Sequence, residues 1–267
     1  MFLISLLQVQ KFRGKTGDNM ADKNYLHTAY ANSADGTDGF TTVYPNLNLL
    51  TGTSTKVVQA TDWNMQVANI KYDKSLGGDL CASVMINNAD HASDLLRGSA
   101  GIVIQTFDKS GKSLTTVDGN SVSYNANGLS QCHASIGDNT ASIKVFIITN
   151  NMNQNTFYSR LKLEKGSTAT PHMRSASEVT TADWPKFVGT YVDTNPVSST
   201  NSSKYDWDEM KYRVYLDGTP VGGSKLLSFD LENLKAGKSY NVQVSQINGN
   251  VESDKSESVA FKTTLTK

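Results

Sequence analysis

Gln105, Phe107, Phe146, Tyr158 and Arg160, with Trp63 nearby, mix aromatic rings with an amide and a guanidinium group. Those groups suit sugar recognition. An aromatic face takes the apolar side of a pyranose ring, and planar polar groups pair with its hydroxyls. Lys144 belongs to the same set. A face of this composition is costly to bury and useful to expose. The competing reading is that Phe107 and Phe146 cover a second layer of core, and a strand slipped by one residue would exchange the two faces. Trp63 either packs or stacks on a ligand. Tyr72 and Tyr124, both in loops, are reserve candidates.

Covalent chemistry is poorly provided for. There is no Gly-x-Ser-x-Gly, and His27, His91, His133 and His172 lack metal-ligand spacing. No Gly-rich phosphate loop opens a helix. Carboxylates are plentiful, yet spacing alone identifies no glycosidase pair. The chain is therefore expected not to be an enzyme and to need no cofactor. Asp35-Gly36-Thr37-Asp38-Gly39 departs from a calcium-loop pattern and reads as a polar turn.

Composition narrows the partners. Lys plus Arg and Asp plus Glu number 25 each among 267 residues, so no global field draws the chain to nucleic acid. Charged residues make up 19%, so the polarity comes from Ser, Thr, Asn and Gly, which favours β-structure with many turns. The apolar opening Met1–Leu7 has no basic lead and no cleavage site, and it is too short to span a membrane. Residues 1–19 are expected to be a frayed arm or to precede a true start at Met20. Cys81 and Cys132 are either free thiols or a bridge across a sandwich.

The elements that would position the mixed face are strands. Leu80, Ala82, Val84 and Ile86 alternate with Cys81, Ser83 and Met85. Ile102 and Ile104 oppose Val103, Gln105 and Phe107; Ile143, Val145 and Ile147 oppose Lys144, Phe146 and Ile148. Phe157, Leu161 and Leu163 are expected on one side of their strand, and Tyr158, Arg160 and Lys162 on the other. Residues 88–97 hold at most one helical turn. Residues 192–204 read as a solvated linker or long loop. Beyond them, Tyr212–Leu216 runs into Asp217-Gly218, a hairpin signal.

Three resemblances add to this reading. Asn46-Leu47-Asn48-Leu49-Leu50 and Leu161–Pro171 resemble the first and last strands of jelly-roll carbohydrate-binding modules of bacteriophage tail proteins. Asn24–Gly36 and Phe187–Asp193 look like a segment recurrent in tail and baseplate proteins of phages of Gram-positive bacteria, to which Trp184 and Trp207 also belong. Leu234–Tyr240, followed by Val242 and Val244, resembles the corner before strand F of fibronectin type III domains, where the tyrosine hydroxyl bonds back to the backbone. The stretch after Lys211 is too short for a whole such module. Either residues 184–210 supply substitute strands or a neighbouring chain does.

The resemblances imply an all-β chain: a jelly-roll β-sandwich, a linker and a small fibronectin III/Ig-like β-module. The expected division is 1–19 arm, 20–46 flanking segment, 47–170 jelly roll, 171–209 flanking segment and linker, and 210–267 partial module. They imply a virion tail protein that binds host cell-surface polysaccharide and other tail proteins, with self-association open and no membrane insertion. The rival readings are a tail spacer with no ligand and an accessory fragment of a wall hydrolase. Similar modules often carry a structural calcium near the first and last strands, where Glu164 lies.

Overall fold

The computed structural model describes residues 24–232 and 234–264. The arm expected at 1–19 lies outside them. The chain forms β1 (Tyr25–Ala31) and β2 (Phe40–Thr41), then β3 (Val58–Gln59), β4 (Asn64–Lys71), β5 (Asp79–Asn87) and β6 (Ser99–Phe107). It continues through β7 (Ser113–Asp118), β8 (Val122–Ser123), β9 (Asn127–Ser135), β10 (Ser142–Asn150) and β11 (Phe157–Lys165). The last part holds β12 (Phe187–Asp193), β13 (Asp206–Glu209), β14 (Tyr212–Leu216), β15 (Thr219–Ser224), β16 (Ser239–Asn248), β17 (Val251–Glu252) and β18 (Val259–Lys262). A single α-helical turn, α1 (Ala92–Leu95), stands in the segment expected to hold one. Among the described residues no helix is long and apolar enough to cross a membrane.

Leu47–Val179 forms one compact unit, and the chain on either side of it forms a second. In the first, one sheet runs β3-β11-β5-β9 and the other β4-β10-β6-β7, with the short β8 beside β6. Leaving β8 aside and counting in chain order, the sheets read 1-8-3-6 and 2-7-4-5. That order is a jelly roll. Its core is Leu80, Ala82, Val84, Ile86, Ile102, Ile104, Ile143, Val145, Ile147 and Leu163. These are the apolar positions that period-2 alternation assigns to one face.

The opening segment docks beside β11 without becoming a ladder strand. Leu49 N–H donates to Leu163 O at 2.7 Å. Buried Asn48 does more: its Nδ2 donates to Leu161 O at 2.9 Å, and its Oδ1 accepts from Leu50 N and Leu163 N, each at 3.0 Å. One amide thus satisfies backbone groups on two segments far apart in sequence.

The second unit is assembled from both sides of the first. β1 pairs antiparallel with β12, from Tyr25↔Asp193 to Ala31↔Phe187, in the sheet β13-β12-β1-β2. The other sheet runs β15-β14-β16-β17, with β18 also on β16. The division expected from sequence therefore needs correction. The 20–46 flank and the 171–209 linker region carry β1, β2, β12 and β13, because non-local pairing satisfies their backbone groups.

Two local expectations in this unit are met. Asp217 (φ 49°) and Gly218 (φ 79°) turn β14 into β15, the two positive φ angles of a tight hairpin. The Tyr240 hydroxyl accepts from Lys235 N at 2.9 Å.

Between its sheets the unit buries Arg213. Its Nε donates to Tyr44 Oη at 2.9 Å, its Nη1 to Glu252, and its guanidinium lies 4.7 Å from the Trp184 ring centroid. Trp207 lies over Gly36 and Gly189, where an added Cβ would come within 2.5 Å and 2.7 Å of the indole.

Candidate functional site

β6 and β10 position the mixed face. Across their ladder Ile104 opposes Val145 and Ile102 opposes Ile147, all turned into the core. The residues between them must point the other way. Gln105 therefore stands opposite Lys144, and Val103 opposite Phe146, on the outside of this sheet. Gln105, Phe107, Lys144 and Phe146 are half-buried, and Val103 between them is buried. The Lys144 ammonium lies 4.6 Å from the Phe107 ring centroid, a cation–π contact that holds both side chains on the surface.

β4 adds a row of amides to the same face. Asn64 opposes Ile148, Gln66 opposes Phe146 and Asn69 opposes Lys144, and all three amides are exposed. Sequence reading did not single out this row. The alternation Asn64-Met65-Gln66 was the available signal, but the bulge opposite Val145 and Phe146 interrupts it. On the other side of β6, Thr116 of β7 stands opposite Gln105. Rings and amides are thus juxtaposed on one sheet, as stacking and hydroxyl pairing require.

Tyr158 and Arg160 do not join them. Both lie on β11, in the opposite sheet, which carries a bulge between Ser159 and Lys162. Arg160 is the bulged residue, exposed at φ 56°, with its N–H donating to Ser54 O at 2.7 Å. The extra residue reverses the alternation before it. Tyr158 then stands opposite Ile86 and packs against the core, and burial raises its hydroxyl pKa. Lys162, expected on the open side, is fully buried.

Trp63 is 62% exposed in the turn just before β4, where its carbonyl accepts from Thr149 N at 2.8 Å. Tyr72 is half-buried, and its hydroxyl donates to Gly77 O at 2.9 Å. Tyr124 is half-buried near β8, with its N–H bonded to Gly98 O.

Glu164 has other partners than a metal. Its Oε1 accepts from Thr170 N at 2.8 Å, its Oε2 from Thr170 Oγ1 at 2.5 Å, and the Lys162 ammonium stands 3.2 Å away. A side-chain cation thus supplies the charge a calcium ion would bring. Burial pushes Lys162 down to about 8 against the opposing pull of Glu164. Among the described residues no group of three or more His, Cys, Asp or Glu is arranged to hold a metal. Asp35 forms the expected polar turn, its Oδ1 accepting from Thr37 N at 3.1 Å.

Cys81 and Cys132 are free and buried. On the β5–β9 ladder Cys81 opposes His133 and Cys132 opposes Ala82, so the two side chains leave opposite faces of one sheet. No bridge can join them there.

Residues 185–243 match a family model described as "Minor structural protein 5-like, C-terminal domain". No curated protein matches the chain. A chain of the solved tripod (BppUct-A-L) from the baseplate of bacteriophage Tuc2009 is 51% identical, with a TM-score of 0.70, and the match covers 92% of this chain and 100% of that one. Identity of that order over the whole of the matched chain carries fold and family together, and the protein belongs to the family of phage baseplate proteins represented in that tripod, with its place in the virion tail.

Proposed function

We propose that the jelly roll of this baseplate protein binds host cell-wall saccharide without cleaving it, through the outer face of the β4-β10-β6-β7 sheet. The observation that supports this reading is the surface row of Gln105, Phe107, Lys144 and Phe146 beside the exposed amides of Asn64, Gln66 and Asn69. Each ring can stack on a pyranose, and each amide can both donate to and accept from hydroxyls. Tyr158 and Arg160, on the opposite sheet, take no part in this face.

The second unit, with the match at 185–243, serves assembly with other tail proteins, including further copies of this chain. The tripod relative motivates that part of the reading. Repetition around a tail converts weak single-site contacts into durable adhesion.

Sedimentation with purified cell walls of candidate Gram-positive hosts tests the proposal. Wild type should be carried down and Phe107→Ala should not, with no soluble sugar released. Failure of wild type to sediment would favour a purely architectural role, and sugar release would overturn the non-catalytic reading.

A further inference from the structure

The second unit holds a cleft of about 640 Å³, lined by residues of the β1–β12 ladder on one side and of the turn after β15 on the other. Leu26, Val43, Leu226, Phe229, Asp230 and Glu232 are among its lining residues. Leu26, Val43 and Leu226 are exposed, and so is Val192, which opposes Leu26 on the ladder. Apolar side chains scattered singly over a surface need no explanation, but four gathered at one concavity mark a contact surface.

The turn holds Leu226 in place. The Ser224 hydroxyl donates to Ser228 O at 2.9 Å and accepts from Leu226 N at 3.0 Å. Lys225 Nζ donates to Asp206 Oδ2 at 2.7 Å and to Asp206 O at 2.9 Å. Phe229 packs on Gly222, where an added Cβ would come within 2.3 Å of the ring. A turn fastened at three points still presents Leu226 to water, at 62% exposure.

Charge selects the partner. Asp230 and Glu232 are exposed in the cleft. Lys225, the one lysine or arginine lining it among the described residues, is held by Asp206. His27 has both ring nitrogens engaged, with Ser198 Oγ at 3.0 Å and Asn195 O at 2.8 Å. Burial pushes the Tyr30 hydroxyl, also in the lining, up to about 12, and the Glu232 carboxylate adds to the rise. A cleft that is apolar at its edge and anionic disfavours an acidic ligand. It suits a chain that sets lysine or arginine beside aliphatic side chains.

We propose that this cleft docks a segment of another tail protein, which lays aliphatic side chains on Leu26, Val43 and Leu226 and pairs a lysine or arginine with Asp230 or Glu232. The proposal rests on the assembly reading of the second unit, and the family match at 185–243 spans the β12 and β15 sides of the cleft. The carboxylates set partner choice and encounter rate, and apolar contact supplies most of the hold.

The test uses the full chain and a short fluorescein-labelled peptide of alternating leucine and lysine. Wild type should bind it roughly tenfold more tightly than the same peptide with glutamate for lysine, and less tightly as salt rises. Asp230→Lys combined with Glu232→Lys should invert that preference. Leu226→Ser should lose the basic peptide yet melt as wild type does, because the side chain is exposed. Equal affinity for the two peptides, an unchanged preference after the charge exchange, or full binding by Leu226→Ser overturns the inference. Self-association of wild type that Leu226→Ser abolishes would make the occupant a second copy, and tighter peptide binding by a chain lacking residues 1–19 would make it that segment. Either result overturns the assignment to another protein. Co-migration with tail proteins dissociated from the virion separates the inference from the assembly reading. Wild type should co-migrate and Leu226→Ser should not. Co-migration of both leaves assembly standing and removes the cleft, whereas failure of wild type removes the assembly reading itself.

Discussion

Lys162 Nζ stands 3.2 Å from Glu164 Oε2, and neither side chain is exposed to solvent. The two residues are two apart on β11 and share its outward face, where Thr170 and Pro171 cover them. Lys162 also donates to Thr170 Oγ1 at 2.6 Å and Pro171 O at 2.7 Å. The pair therefore fastens the segment after β11 onto the sheet.

Removing either partner alone should strand a buried charge. Lys162→Met or Glu164→Gln should each destabilise by about 3–5 kcal/mol, while the double variant should recover part of the loss. Urea unfolding of the four proteins measures this. Additive losses would show that the two groups do not act as a pair.

Tyr158 lies on the opposite sheet from Phe107, and the bulge at Arg160 turns it toward the core. Tyr158→Ala should lower stability and leave wall binding intact, because the ring packs against the core. Phe107→Ala should leave the melting temperature nearly unchanged and weaken binding by about 1–2 kcal/mol. Thermal melts and wall sedimentation of both variants decide the assignment.

The two thiols give a pH dependence. Burial, the largest cause for each, pushes Cys81 up to about 11 and Cys132 up to about 12, from a usual value of 9.0. Raised folded values mean that the native state keeps protons the unfolded chain releases. Their contribution is full below pH 9 and is lost as pH rises through 11 and 12. The stability difference between wild type and the Cys81→Ala, Cys132→Ala variant should shrink accordingly across that range. Neither native thiol should react readily with an alkylating reagent at neutral pH.

Gly189 lets β12 pass beneath Trp207. A Cβ there would sit 2.7 Å from the indole and 2.8 Å from Tyr205 Cβ. Gly189→Ala should destabilise the second unit by about 1–3 kcal/mol. Its effect should appear in Trp207 fluorescence during unfolding. A neutral result would show that the ring moves aside freely.

The strands were legible because period-2 alternation is local. Leu80–Ile86, Ile102–Ile104 and Ile143–Ile147 announce their core faces, and Asp217-Gly218 announces its turn by the backbone angles it tolerates. Gln105, Phe107 and Phe146 followed from the same alternation, and the structure brings them together on one sheet. Tyr158 and Arg160 did not, because β11 pairs with β5 in the opposite sheet, a partner its own residues do not announce, and the bulge there turns Tyr158 inward. The amides of β4 went unread for a like reason. The register with β10 shifts between Val145 and Phe146.

What the residues alone determine here is the all-β class, the core faces of β5, β6 and β10, and the lack of any nucleophile or metal pattern. Tertiary structure decided which strands share a sheet, that β1 finds β12 across the whole inserted unit, and that Lys162 and Glu164 neutralise each other under Thr170. The physical reason is one of range. Side-chain alternation and turn angles are set within a few residues, whereas ladder partners and buried charge pairs depend on segments that only the folded chain brings together.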